Sequence, residues 1–98
     1  MNVKRAKPEH ISSVVKNFLK ELGLETAYKQ HQALLLWPEV VGAGLSRVTE
    51  PVRIEYGRMY IRVTNSSWRQ EVYYFKYQII ERLNKKLNEP VVKDLILV

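Results

Sequence analysis

Apolar residues recur along this chain with two periods, and the switch between them marks out the elements. Ile11, Val14, Val15, Phe18, Leu19 and Leu22 keep the three-and-four spacing of one helical face. Gly23 follows, where a helix can end in a left-handed residue. A second helix is predicted from Glu25 or Thr26, with Ala27, His31, Leu34 and Leu35 inward and Lys29, Gln30 and Gln32 outward. Pro38 has no amide proton and disfavours helical geometry at Trp37. A break is therefore expected there, followed by a short helical turn through Val40, Val41 and Leu45. After Glu50 the period shortens to two: Val52, Ile54 and Tyr56 alternate with Arg53 and Glu55, and Ile61 and Val63 with Tyr60, Arg62 and Thr64. Tyr56-Gly57-Arg58-Met59 holds the turn, with Gly57 able to take a positive φ.

Asn65, Ser66 and Ser67 are N-cap residue types, with Glu71 following in the first turns of the helix. A long third helix is predicted over Ser67 to Leu87, its inner stripe being Trp68, Val72, Phe75, Ile79, Leu83 and Leu87. Asn88-Glu89-Pro90 ends it, and Val91 to Val98 is rich in β-branched residues and reads as a last strand. The order helix, helix, strand, strand, helix, strand predicts an α+β fold. Each element has one apolar face to hide, so a three-stranded mixed sheet should be covered by helices on one face. A basic arm is expected over residues 1–9 and one folded domain over 10–98.

Length and composition narrow the classes. A chain of 98 residues suffices for one core that buries roughly two thirds of its unfolded surface. Cysteine is absent, which excludes disulfides and thiolate metal sites and fits a reducing compartment. There is no apolar run long enough to span a bilayer and no signal-peptide core, so a cytoplasmic, nucleoid-associated location is expected. The net charge of +6 and pI near 9.7 favour polyanionic partners or serve solubility alone. Arginine placement sharpens this. Every cation between Ala43 and Arg69 is an arginine (Arg47, Arg53, Arg58, Arg62 and Arg69), opposed in that stretch by Glu50 and Glu55. The planar, permanently charged guanidinium matches phosphate oxygens and stacks on flat rings.

Four segments carry a resemblance. Trp37-Pro-Glu-Val-Val-Gly42 is followed by Leu45 and Thr49-Glu-Pro51, then by Asn65-Ser-Ser-Trp68-Arg-Gln-Glu71 and a terminal Asp94-Leu-Ile-Leu-Val98. In this order they resemble the DciA family of bacterial replicative-helicase operators over residues 11–98. The resemblance implies a KH-like fold, DNA binding, and promotion of loading of the replicative helicase DnaB without ATP hydrolysis. The Gly-x-x-Gly clamp of KH domains is missing, because Gly42-Ala43-Gly44 has the wrong spacing. Longer family members carry a flexible C-terminal extension implicated in helicase contact. This chain ends on its last strand, so the folded domain is expected to supply any such contact.

Strand alternation puts Tyr60 and Arg62 on one sheet face, joined by Arg53, with Arg58 at the turn. Arg69 falls in the first turn of the third helix, where Ser66, Ser67 and the amide dipoles would also meet a phosphate. The competing readings are helix capping for Ser66 and Ser67, and cross-hairpin pairing of Arg53 and Arg62 with Glu55 and Glu50. Lys4, Arg5 and Lys7 would add sequence-independent affinity for DNA. Trp37 and Trp68 are potential base-stacking platforms, but their helical positions favour core packing. Tyr73, Tyr77 and Ile80, with Tyr74 beside them, form a second stripe suited to a partner protein or a second copy of the chain. His10 and His31 lack further ligands at metal spacing, and no phosphate loop, nucleophile elbow or paired-carboxylate motif occurs. The expectation is a non-enzymatic domain with no cofactor. An RNA-binding module and a pure protein-interaction domain are the alternatives.

Overall fold

The computed structural model describes residues 12–98. The expected basic arm with Lys4, Arg5 and Lys7 lies outside the described residues, as do His10 and Ile11. The elements are α1 (Ser13–Glu21), α2 (Glu25–Ser46), β1 (Thr49–Glu55), β2 (Arg58–Val63), α3 (Ser66–Tyr74), α4 (Lys76–Leu87) and β3 (Asp94–Leu97). The sheet order is β1-β2-β3, antiparallel between β1 and β2 and parallel between β2 and β3. This is the expected α+β, KH-like arrangement, with the third helix divided in two.

The core lies between one face of the sheet and α2 and α4. Ile54, Met59, Ile61, Val63 and Leu95 come from the strands, and Ala33, Trp37, Val40, Ile79, Leu83 and Leu87 from the helices. Trp68 and Phe75 pack against its margin, so both tryptophans are packing residues in this fold.

Four local expectations are corrected. The first concerns Pro38, which lies inside α2; the non-helical residue is Gly42, at φ 90° and ψ 169°. Losing the bond that Pro38 cannot make costs about 3 kcal/mol. Burying Ala33, Trp37 and Val40 on one helical face offsets that, since a buried tryptophan alone is worth about 3–5 kcal/mol against alanine. That stripe also corrects the phase of α2: Ala27, His31 and Leu35 are exposed, whereas Lys29 is largely buried and donates to Leu87 O at 3.3 Å.

Second, the long helix bends at Phe75, whose backbone (φ −94°, ψ 10°) is neither properly helical nor extended. Its two halves then follow different neighbours. α4 is covered by both α2 and β3, so its apolar arc is wide enough to bury Ile79 and Ile80 together. Third, α1 buries none of its residues; Val14, Phe18 and Leu22 of the expected inner stripe are exposed. Fourth, β3 is shorter than predicted, because Val91 to Lys93 approach the sheet without pairing as strand.

Candidate nucleic-acid interface

The outer face of the sheet takes its character from one irregularity in β1. The β1–β2 register runs Glu50↔Arg62, Pro51↔Ile61, Arg53↔Tyr60 and Glu55↔Arg58, so Val52 is skipped as a bulge. Simple alternation would put Glu50 and Arg53 on opposite faces. The extra residue brings both to the outer face, together with Glu55, Arg58, Tyr60 and Arg62. Met59, Ile61 and Val63 point the other way and are buried.

On that face the charges are partly committed. Arg62 Nη1 donates to Glu50 Oε1 at 2.7 Å, and Arg53 Nε lies 3.5 Å from Glu55 Oε1. The Arg53 guanidinium also stacks on the Tyr60 ring, 4.0 Å from its centroid. Pairs this exposed contribute about 0–1 kcal/mol each and are readily exchanged for other anions. Arg58 forms no ion pair among the described residues. It acts on its neighbour Asp94 through space, helping to hold that carboxyl low. Arg47 is exposed beyond the start of β1.

The other predicted nucleic-acid residues gather at the far end of β2 from the turn. Asn65 is the helix cap there: its Oδ1 accepts from Trp68 N at 3.0 Å. Ser66 and Ser67 therefore do not cap α3 but lie exposed in its first turn. Arg69 donates to the backbone carbonyls of Val98 (2.9 Å) and Leu97 (3.4 Å), fastening the end of β3 to α3. Two of its donors are thus engaged in holding the fold.

The tyrosine stripe is divided by the structure. Tyr73, Tyr74 and Tyr77 are exposed, but Ile80 is only 9% exposed and belongs to the core, so it leaves the proposed partner surface. The reason is the wide apolar arc of α4 described above. Lys76, which sequence reasoning passed over, lies between Tyr73 and Tyr77 at 5.1 and 5.3 Å from their ring centroids and bonds Asp94 Oδ1 at 2.9 Å. The hydrogen bond to Asp94 raises the Lys76 pKa, against the opposing effect of burial. The same bond lowers that of Asp94, again opposed by burial and helped by the Leu95 amide. The sequence signal was a lysine flanked by two tyrosines one turn apart.

Behind this face, two of the sequence segments singled out above meet. Trp37 Nε1 donates to Thr49 Oγ1 at 2.8 Å, and the Thr49 hydroxyl donates to Leu45 O at 2.7 Å. The tryptophan-proline segment of α2 and the threonine that opens β1 are thus one buried unit, and it anchors the hairpin to the helical layer.

The element order and mixed three-stranded sheet define a small α+β domain of the KH-like class, with an arginine- and tyrosine-bearing outer face. The family model described as "Dna[CI] antecedent, DciA" matches residues 10–97, and the chain belongs to that family. Family membership carries the broad role of replicative-helicase loading, with the helicase DnaB as partner. Comparison with curated proteins gives no match. Among the described residues, no helix is long and apolar enough to cross a membrane, and no cluster of three or more His, Asp or Glu side chains is arranged to hold a metal.

Proposed function

We propose that this domain is a non-enzymatic, cytoplasmic accessory protein that binds DNA through the outer face of its hairpin while it promotes helicase loading. The observation that carries the reading is the β1–β2 register, which sets Arg53 opposite Tyr60 on the outer sheet face that Arg58 and Arg62 share. Binding is largely independent of sequence, because no recognition helix carries groove-reading side chains. Ser66, Ser67 and Arg69 extend the surface at the far end of β2, and Lys4, Arg5 and Lys7 add charge. Tyr73, Tyr74 and Tyr77 offer the helicase, or a second copy of the domain, an exposed aromatic surface.

The test is anisotropy of a labelled DNA fork between about 50 and 200 mM salt. Roughly four to six phosphate contacts give a log–log slope near −3 to −5. Arg58→Glu with Arg62→Glu should weaken binding in a folded protein, and an unchanged dissociation constant would refute the assignment. The pairing of Arg62 with Glu50 and of Arg53 with Glu55 favours a second reading, a protein-interaction domain whose basic charge serves solubility. A flat salt dependence would select it.

A further inference from the structure

The turn that joins β1 to β2 contains a residue that its local geometry does not favour. Glu55 pairs with Arg58, leaving Tyr56 and Gly57 as a two-residue loop, and both have positive φ, 51° and 81°. That combination is the signature of a type I′ turn, which selects Asn, Asp or Gly at its first position. A bulky aromatic in left-handed geometry is a strained choice there. Gly57 is explained by the fold: besides its φ, a Cβ there would come within 3.0 Å of the Lys93 side chain. Tyr56 has no such explanation. It is 88% exposed, so the ring returns almost no packing for the strain it carries.

The surroundings of the ring indicate what it contacts. Arg58 follows it by two residues, and Lys93 lies against Gly57; both are exposed, and neither forms an ion pair among the described residues. A flat ring flanked by two available cations is the chemistry of a single-stranded polynucleotide, whose bases stack and whose phosphates need counter-charges. Beside Tyr56 lies an open depression of about 490 Å³ bounded by Thr26, Lys29 and Gln30. Glu25, Glu89 and Lys93 also border it, and Glu89 is paired with Lys29 at 3.3 Å, so its rim is mixed in charge and offers polar partners to a base edge. The phosphates are left to Arg58 and Lys93.

We propose that Tyr56 is a stacking residue for an unpaired base of single-stranded DNA, with Arg58 and Lys93 taking the adjacent phosphates at the tip of the hairpin. The inference rests on the DNA-binding reading of the hairpin face and specifies its ligand. A duplex keeps its bases stacked inside and cannot use the ring in this way.

The experiment compares wild type, Tyr56→Phe and Tyr56→Asn by anisotropy with labelled oligothymidylate of about 15 nucleotides, a duplex of equal length and the matched RNA. Asn suits left-handed geometry, so Tyr56→Asn should raise the thermal midpoint while weakening single-strand binding at least roughly five-fold. Its salt slope should stay that of wild type, because stacking releases no counterions. Tyr56→Phe should keep the affinity, and Arg58→Ala with Lys93→Ala should flatten the slope. Unchanged single-strand affinity in Tyr56→Asn, or an equal loss on duplex, overturns the stacking role and leaves the hairpin-face reading standing. Tighter binding of the RNA, with the same loss in Tyr56→Asn, overturns DNA as the ligand. Wild type that binds none of the three at low salt overturns the hairpin-face reading and this inference with it.

Discussion

Replacing Thr49 with valine tests the unit that joins the helical layer to the hairpin. Valine has nearly the shape of threonine, so the change removes a hydroxyl without opening a cavity. Trp37 is fully buried and its indole N–H donates to Thr49 Oγ1 at 2.8 Å, its sole partner among the described residues. Leaving a buried donor unsatisfied costs about 1–3 kcal/mol. Leu45 O also loses the hydroxyl at 2.7 Å, but it retains the Val48 amide at 3.2 Å, so this second loss is smaller. Together they give about 2–3 kcal/mol, or a fall in Tm of roughly 10–20 °C for a domain of this size. Urea unfolding followed by circular dichroism should show a lower midpoint with an unchanged slope. Thr49→Ser keeps the hydroxyl and should cost about 1 kcal/mol. In a Trp37→Phe background the donor is gone, so Thr49→Val should cost at least about 1 kcal/mol less than in wild type. Equal stability of Thr49→Val and wild type, or strict additivity in the double variant, would refute the coupling and leave Trp37 as packing alone.

Glu50→Gln releases Arg62 from its 2.7 Å partner. DNA affinity at low salt should rise and the salt slope should steepen by about one, and a variant no tighter than wild type would argue that Arg62 does not meet phosphate. The Lys76–Asp94 pair has a pH signature of known sign. Asp94 is lowered from its ordinary 3.8, so its contribution is present above that value and is lost as pH falls through the folded value. Lys76 is raised from 10.5, so its contribution is present below that value and is lost as pH rises through the folded value. Asp94→Asn should therefore remove part of the acid-side loss of stability, and superimposable acid titrations of the two proteins would contradict the pairing. Ile80→Ala should cost about 2–5 kcal/mol in denaturant melts. Tyr77→Ala should stay within about 0.5 kcal/mol while weakening helicase capture. The reverse ranking in stability would return Ile80 to the surface.

Much of the architecture was legible in the chain itself, because it rests on local rules. The switch from helical spacing to alternation placed the hairpin, Gly57 marked its turn, and the segments at Trp37, Thr49 and Asn65 carried the family. Alternation alone also put Tyr60 and Arg62 opposite Ile61 and Val63. What was not legible depended on neighbours distant in sequence. Pro38 reads as a helix break until burial of Trp37 and Val40 outweighs its missing hydrogen bond. Ile80 extends a surface stripe until α2 and β3 both close on α4. Glu50 and Arg53 share a face because register, a property of two strands, inserts a bulge at Val52. Tyr56 looks like the end of an inward alternation, and only the closed turn shows it left-handed and facing solvent. Local propensity and period thus determined the elements and their order. The phase of each helix, the partners of each arginine and the exposure of each tyrosine were decided by packing, where one large burial energy overrides several small local preferences.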